Sequence, residues 1–278
     1  MVIFKKADDI RHFLLEQKRQ QVSIGFCPTM GALHAGHISL IEASKRQCTL
    51  TVCSIFINPT QFNNPTDYQQ YPVSLEQDLQ LLETAGCDVL FLPEECEIYP
   101  NGIPTKKYDL GFLETIMEGA YRPGHYQGVC MVVHRLLDII PCKRLFLGEK
   151  DYQQCMVIQR LIQSEGLPVE VAIQPTIRET NGLAMSSRNR RLNAEQLTKA
   201  TILFAVLQYL QESYGKIPPA SQLEKARARL LQANLQVDYV ALYQENLEPL
   251  HPADNQSVRA FVAASVDGIR LIDTLRIT

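Results

Sequence analysis

Residues 22–58 contain three consecutive runs that decide the fold: VSIGFCPT (22–29), SLIEASKRQC (39–48) and TLTVCSIFIN (49–58). The outer two are short and apolar, which favours buried strands, whereas the middle run has helical periodicity. A strand, a helix and a second strand in this order form a unit in which the strands are parallel and the crossover is right-handed. This stretch therefore predicts a parallel sheet.

The same alternation of strands and helices continues to about residue 177. Gly86 and Gly166 each end a helical run shortly before a strand-like run begins, as glycine does at helix C-termini. The pattern predicts an α/β protein with a doubly wound, Rossmann-like parallel sheet. The strand-like runs are 88–93, 144–149 and 169–177, and the helical runs are 74–87, 128–141 and 152–166.

The alternation of strands and helices stops after about residue 190. A helix at 194–213, a break at YGKIPP (214–219) and a second helix at 220–233 precede three strand-like runs. This pattern indicates a second, smaller α+β domain at the C-terminal end. We expect one domain over residues 1–180 and another over residues 181–278; the three strand-like runs are 237–244, 258–266 and 269–275.

Composition narrows the class of protein. The chain has 278 residues, 46% of them hydrophobic, and its net charge of −3 is spread along the sequence. There is no basic stripe for nucleic acid or anionic lipid, and no apolar run approaches the roughly 18 residues of a membrane span. The N-terminus lacks the pattern of a signal peptide, and the eight cysteines lack paired zinc-ligand spacing. We expect a cytoplasmic enzyme with reduced core cysteines and neither nucleic acid nor membrane as a partner.

The loop after the first quoted strand, PTMGALHAGHISLI (28–41), combines two glycines with two histidines. Gly31 and Gly36 allow close backbone approach to a ligand, and N–H groups at a helix start attract phosphate. His34 and His37 could donate hydrogen bonds to charge that develops on a phosphorus under attack. The alternatives are a surface loop with two polar caps and, less favoured, a zinc pair, because HxxH lacks the spacing and acidic residue of a metallohydrolase.

Two further strand-to-loop junctions carry polar groups. Asn58 and Gln61 lie in FINPTQFNNPTDYQQYP (56–72), where neutral amides suit recognition of hydroxyl and carboxylate groups, although Asn-Pro turns are also common structural features. In FLGEKDYQQC (146–155), Lys150 could bind phosphate; ordinary solvated charges at a helix start are the alternative.

Two polar segments remain. The segment NGLAMSSRNRRL (181–192) could wrap phosphates or serve only as a linker. The segment EGAYRPGHYQG (118–128) is polar enough to cover a site, but nothing in its spacing requires that.

Taken together, these segments resemble the pantothenate synthetases, nucleotidyltransferase-like enzymes with an HxGH motif. The resemblance runs along essentially the whole chain and is most specific at GEKDYQQ and MSSRN. It implies that ATP activates pantoate as pantoyl-adenylate with release of pyrophosphate, and that β-alanine then displaces AMP. The segments that carry it are PTMGALHAGH, SIFINPTQF, EIYPNG, EGAYRPGHYQGV, LFLGEKDYQQ, GLAMSSRN, DYVAL and GIRLIDT.

The resemblance also implies roles for individual residues. His37, His34 and Lys150 would be catalytic. His37 is the proton donor assigned in the family, although on physical grounds we interpret it as a stabiliser of the transition state. Gln61, Gln154 and Asn58 would bind substrate, and Asp78 would be associated with Mg²⁺. The residues implied in ATP binding are Met30, Gly31, Ala32, Leu33, His34, Ala35, Gly36, His37, Gly148, Glu149, Lys150, Asp151, Ile177, Met185, Ser186, Ser187 and Arg188.

The chain departs from the family pattern at Thr60, Val73 and Met131, which leaves the lining of the pantoate pocket open. Members of the family are typically homodimers. Two other classes stay open: a nucleotidyltransferase acting on another small substrate, and a catalytically silent nucleotide-binding protein on the same fold. The retention of His34, His37, Lys150 and the two serines disfavours the silent class.

Overall fold

The computed structural model describes residues 1–250 and 257–278. The strands are β1 Val2–Phe4, β2 Ile24–Thr29, β3 Leu50–Ile55, β4 Val89–Phe91, β5 Arg144–Gly148, β6 Glu170–Gln174, β7 Gln236–Gln244, β8 Val258–Val266 and β9 Ile269–Arg276. The α-helices are α1 Ala7–Arg19, α2 Ala35–Gln47, α3 Pro65–Gln69, α4 Leu75–Thr84, α5 Glu95–Ile98, α6 Met117–Tyr121, α7 His125–Ile139, α8 Tyr152–Ser164, α9 Ala194–Ala200, α10 Ile202–Ser213 and α11 Pro219–Gln232. Short 3-10 helices span Pro59–Gln61, Gly111–Glu114, Glu149–Asp151 and Ser187–Arg191.

The first six strands form one parallel sheet in the order β1-β4-β3-β2-β5-β6. The chain proceeds from β2 to β3 and β4 in one direction and then returns to place β5 on the other side of β2. In such sheets ligands bind at the carboxyl ends of the strands next to the position where the order reverses. The structure confirms the predicted Rossmann-like sheet and sets the end of β2, at Thr29, beside that position.

The remaining strands form a separate antiparallel sheet in the order β7-β8-β9. The α10 and α11 helices pack against it, and the buried side chains of Leu203, Leu207 and Val262 belong to its core. The predicted helix at 194–213 is divided at Thr201 into α9 and α10, although Thr201 keeps helical backbone angles. The smaller α+β unit predicted from the sequence is therefore confirmed.

Packing divides the chain into two compact units. The first comprises residues 1–148 and 154–175, and the second comprises residues 149–153 and 176–278. The sequence predicts a single boundary near residue 180. Helix and strand patterns show where elements change, but they do not show which core a short loop joins. The five residues 149–153, which carry Lys150, are thus counted with the C-terminal sheet.

Cysteines contribute mainly to the core of the first unit. All are free thiols; Cys96 is exposed, unlike the others, which are buried. Burial raises the pKa of Cys87 to about 11 and that of Cys142 to about 12. These thiols therefore remain protonated at neutral pH and behave as small apolar groups.

The glycine at position 128 in α7 allows that helix to contact the short helix Pro59–Gln61. A Cβ atom at Gly128 would lie 2.3 Å from the carbonyl oxygen of Thr60 and 2.8 Å from the backbone nitrogen of Gln61. Both are main-chain atoms that cannot rotate away. The residue type at 128 therefore fixes how closely the loop after β3 packs on α7.

We predict that Gly128→Ala destabilises the protein by about 1–3 kcal/mol, the usual cost of overpacking, even though alanine favours helices by about 1 kcal/mol over glycine. Thermal and urea denaturation would measure the change. Gly148→Ala is the matched control, because a Cβ atom there meets nothing within 4 Å. An unchanged unfolding free energy for Gly128→Ala would contradict the steric argument.

Candidate functional site

A buried carboxylate holds the loop that follows β2. Asp78 in α4 is 1% exposed; its Oδ2 accepts a hydrogen bond from the Ala32 N–H and its Oδ1 accepts one from the Leu33 N–H, both at 2.8 Å. The Ser74 hydroxyl also donates to Oδ1 at 3.1 Å. Gly31 and Ala32 have φ of 80° and 48°, a conformation that costs free energy at a residue with a side chain. The carboxylate offsets that strain and fixes the shape of the loop.

The two histidines lie at the start of α2, where the loop ends. His34 is the N-cap residue, and its Nδ1 accepts a hydrogen bond from the Gly36 N–H at 3.1 Å. The Nδ1 of His37 faces the His34 N–H at 3.3 Å, and the two ring centroids are 4.1 Å apart. Because a backbone N–H can only donate, each Nδ1 is an acceptor and the ring proton of each neutral histidine sits on Nε2. The helix start thus carries two Nε2–H donors side by side.

Gln61 lies in the short 3-10 helix after β3, and its amide has a defined orientation. The Asn58 Nδ2 donates to the Gln61 Oε1 at 3.1 Å, and the Gln61 Nε2 lies 3.1 Å from the Met30 sulfur. Met30 belongs to the loop that leads to the histidines. The structure therefore brings Gln61 to the same loop.

Asn58 is placed differently from our expectation that it binds substrate. It is 1% exposed, and its Nδ2 donates both to Gln61 and to the Gly128 carbonyl oxygen. Its Oδ1 accepts from Thr60 and Tyr99. An amide has two N–H donors and two acceptor lone pairs, so its capacity is taken up inside the protein. Asn58 supports Gln61 instead of offering groups to a ligand.

Gln61 is also held through its backbone by residues that the sequence reasoning did not assign. The His125 Nδ1 lies 2.7 Å from the Gln61 carbonyl oxygen, and the Arg122 Nη2 donates to the same oxygen at 3.3 Å. The His125 Nε2 faces the Arg122 Nη1 at 3.0 Å; because guanidinium only donates, His125 is neutral with its proton on Nδ1. Glu118 pairs with Arg122 at 3.4 Å. The RPGH tetrapeptide was the available signal, but its contact with Gln61 is visible only in three dimensions.

In the second unit, residues 149–153 are fixed to the C-terminal sheet. Glu149 accepts a hydrogen bond from Arg259 of β8 at 2.8 Å, and the Arg259 guanidinium lies 4.0 Å from the centre of the Tyr152 ring. The Tyr152 hydroxyl donates to the Glu245 carbonyl oxygen at 3.0 Å. Between these anchors, Lys150 forms an ion pair with its neighbour Asp151 at 3.1 Å.

The serine-containing loop forms a compact turn in the same unit. The Met185 N–H donates to the Ile177 carbonyl oxygen at 3.0 Å, which brings the two sides of the turn together. Ser186 caps the 3-10 helix Ser187–Arg191 by accepting from the Arg188 N–H at 3.3 Å. The helix start and the basic side chain of Arg188 are suited to an anionic group.

A buried ion pair holds the base of this loop. Arg178 donates to both carboxylate oxygens of Asp273, at 2.6 and 3.0 Å. Burial raises the pKa of Asp273 above its usual range, and the two hydrogen bonds from Arg178 oppose that effect. The same guanidinium lies 4.1 Å from the centre of the Phe204 ring, so the turn is fastened to the core of the second unit.

The other predicted residues fall at the junctions between elements. Ala35 and Gly36 form the first residues of α2, Gly148 ends β5, and Gln154 lies in the first turn of α8. In the first unit, the loop after β2 and the 3-10 helix Pro59–Gln61 therefore bring predicted residues together. In the second unit, the segment 149–151 carries Lys150, and the turn 177–188 carries Arg178 and Arg188.

Comparison with known proteins gives a consistent result. The family profile described as pantoate-beta-alanine ligase matches residues 2–276. Pantothenate synthetase of Cytophaga hutchinsonii is 42% identical over 280 residues, 99% of each chain. That of Thermus thermophilus is 42% identical over 257 residues, 91% of this chain and 93% of its own.

Solved structures agree across the full length. Pantothenate synthetase from Thermus thermophilus aligns with a TM-score of 0.92 at 40% identity, covering 100% of this chain and 99% of its own. A Francisella tularensis pantoate-beta-alanine ligase, solved with beta-gamma ATP and beta-alanine, aligns with a TM-score of 0.85 at 36% identity, covering 99% and 97%. Given a profile match and relatives over nearly its whole length, this chain belongs to the pantoate-beta-alanine ligase family.

Proposed function

We propose that this protein condenses pantoate with β-alanine at the expense of ATP. In the first step a carboxylate oxygen of pantoate attacks the α-phosphorus of ATP, the bond to the β-phosphate breaks, and pyrophosphate leaves. In the second step the amine of β-alanine attacks the acyl carbon, the amine loses a proton, and AMP leaves. Membership of the family supports this reaction, and so do the ligands of the Francisella structure, beta-gamma ATP and beta-alanine.

The single observation that carries the proposal is the pair of imidazoles at the start of α2. Both Nδ1 atoms accept from backbone N–H groups, so both Nε2–H groups are donors before any ligand binds. Donors held in place stabilise the negative charge that develops on phosphate oxygens during displacement, without reorganisation. His34 and His37 act in this proposal by hydrogen bonding, and the attack of a carboxylate requires no proton from His37.

Other predicted residues complete the proposal. Gln61 would bind pantoate through its amide –NH₂ group and lie beside β-alanine, and Gln154 would also bind pantoate. Lys150, with its neighbour Glu149 fixed by Arg259, would neutralise phosphate charge. Asp151, Ile177 and residues 185–188 would bind ATP. We also propose, from the resemblance alone, that the C-terminal domain predicted over residues 181–278 closes over bound substrates.

Asp78 does not fit the metal-ligand role expected for it. Its carboxylate accepts two backbone N–H groups and a hydroxyl, and the residue is buried. Within residues 1–250 and 257–278, no three His, Cys, Asp or Glu side chains are grouped to hold a metal ion. We propose Mg²⁺ only as an ion bound by the phosphates of ATP. No step of the mechanism depends on an ion at Asp78.

The two roles of Asp78 make opposite predictions for Asp78→Asn. An amide at this position turns an N–H toward another N–H donor, and an unsatisfied buried group costs about 1–3 kcal/mol. We expect a lower unfolding free energy and an unchanged Mg²⁺ concentration for half-maximal activity. Glu76→Gln, an exposed change on the same helix, is the control. Wild-type stability combined with a raised Mg²⁺ requirement would restore the ligand role.

The reaction itself is tested by order of addition. Pyrophosphate release would be measured with ATP, Mg²⁺ and pantoate alone, and β-alanine would be added afterwards. We expect pyrophosphate from the first mixture and AMP plus an amide product after the addition. A stable nucleotide conjugate that β-alanine does not cleave would instead indicate a nucleotidyltransferase.

We predict that His37→Ala slows adenylate formation by about 100- to 1000-fold, the usual effect of removing one donor to a developing charge. Single-turnover pyrophosphate release measures the step directly. Ser39→Ala is the control, because it removes one hydrogen bond, to the Gly36 carbonyl oxygen, from the same helical turn. Turnover near the wild-type rate in a folded His37→Ala protein would refute this role.

Two further expectations concern the setting of the reaction. No helix in the described part of the chain is long and apolar enough to cross a membrane. A cytoplasmic location and a homodimeric assembly are proposals that rest on the resemblance to the family. Sedimentation of the purified protein at micromolar concentration would test the second of these.

A further inference from the structure

The orientation of the Asn58 amide is fixed by main-chain groups that cannot exchange roles. Its Oδ1 accepts from the Thr60 N–H at 3.4 Å, and its Nδ2 donates to the Gly128 carbonyl oxygen at 3.2 Å. Rotating the amide by 180° would place its –NH₂ group against the Thr60 N–H, and its oxygen against the Gly128 carbonyl oxygen. The side toward Thr60 is therefore the oxygen, and the side toward Gly128 is the nitrogen.

Tyr99 lies on the oxygen side of this amide. Its hydroxyl is 2.9 Å from the Asn58 Oδ1, and because that atom is an acceptor, the hydroxyl donates. Tyr99 is 5% exposed, and burial raises its pKa, so the phenol keeps its proton at neutral pH. The Thr60 hydroxyl donates to the same oxygen at 3.1 Å, which leaves Asn58 anchored by several groups.

The orientation of the Asn58 amide determines that of the Gln61 amide. Since Asn58 presents an N–H, the Gln61 atom that faces it at 3.1 Å is Oε1. The –NH₂ group of Gln61 is then directed to the Met30 sulfur, at 3.1 Å. A thioether is a weak acceptor, so a hydroxyl or carboxylate oxygen that replaced it would make the stronger hydrogen bond.

We propose that Tyr99 is a positioning residue that acts through Asn58 to hold the Gln61 amide with its –NH₂ group toward the substrate, so that Gln61 recognises an oxygen acceptor of the hydroxy acid. The proposal rests on the function proposed above for Gln61. It deepens that function, because it specifies which end of the amide meets the substrate and names a buried side chain that helps to hold the amide in the orientation set by the main chain.

The test compares Tyr99→Phe with Tyr108→Phe. Tyr108 is buried to a similar degree, at 7% exposure, and its hydroxyl also has one side-chain partner, the His134 Nδ1 at 3.1 Å. For Tyr99→Phe we expect the KM for pantoate to rise about five- to ten-fold, the loss expected for one hydrogen bond, with the KM for ATP and the melting temperature close to wild type. For Tyr108→Phe we expect neither KM to change.

A double-mutant cycle separates action through Gln61 from a general structural effect. In the Gln61→Ala background, single-turnover adenylate formation should show no further loss on adding Tyr99→Phe, because the amide to be oriented is absent. Additive losses, equal changes in both KM values, or identical behaviour of the two Phe variants would overturn the inference. A wild-type enzyme that does not use pantoate would instead overturn the proposed function, and this inference with it.

Discussion

The loop that bears the two histidines depends on one buried anion. Backbone at Gly31 and Ala32 turns through positive φ, and the N–H groups of Ala32 and Leu33 point to the same place, where Asp78 meets them with both carboxylate oxygens. A short peptide of this sequence would have no reason to keep that shape, since nothing within residues 28–37 supplies the charge. The start of α2 therefore owes its geometry to a side chain on α4, which lies beyond the next strand in sequence.

A second constraint concerns the neutral amide of Gln61. Its carbonyl end and its backbone oxygen are both held, the first by Asn58 and the second by His125 and Arg122. Holding a side chain before substrate arrives lowers the entropy lost on binding. The cost is a set of buried polar groups that must all be satisfied at once, which explains why this part of the chain is dense in hydrogen bonds. Under the role proposed for Gln61, recognition of the substrate would also depend on the residues that hold this amide in place.

Much of this arrangement was predictable from sequence, and the limits have physical causes. Strand and helix periodicity gave the parallel sheet and the C-terminal sheet, because burial imposes those periods. The imidazoles and Gln61 could be anticipated from their places after strands. The roles of Asp78, Asn58, Arg122 and His125 could not, because each depends on contacts between residues distant in sequence. The short edge strand β1 was also missed, since three residues carry too little periodicity to recognise.

The assignment of residues 149–153 to the second unit has a consequence for how the protein can be divided. The chain passes between the two units after residues 148, 153 and 175, so the second unit is not a continuous stretch of sequence. A fragment that began at residue 176 would contain Arg259 without Glu149 and Tyr152, and would leave a guanidinium that is 2% exposed without its nearer carboxylate partner. A buried charge that loses such a partner is costly. A stretch that begins at residue 176 is thus a poor candidate for expression on its own, because the second unit also needs residues 149–153.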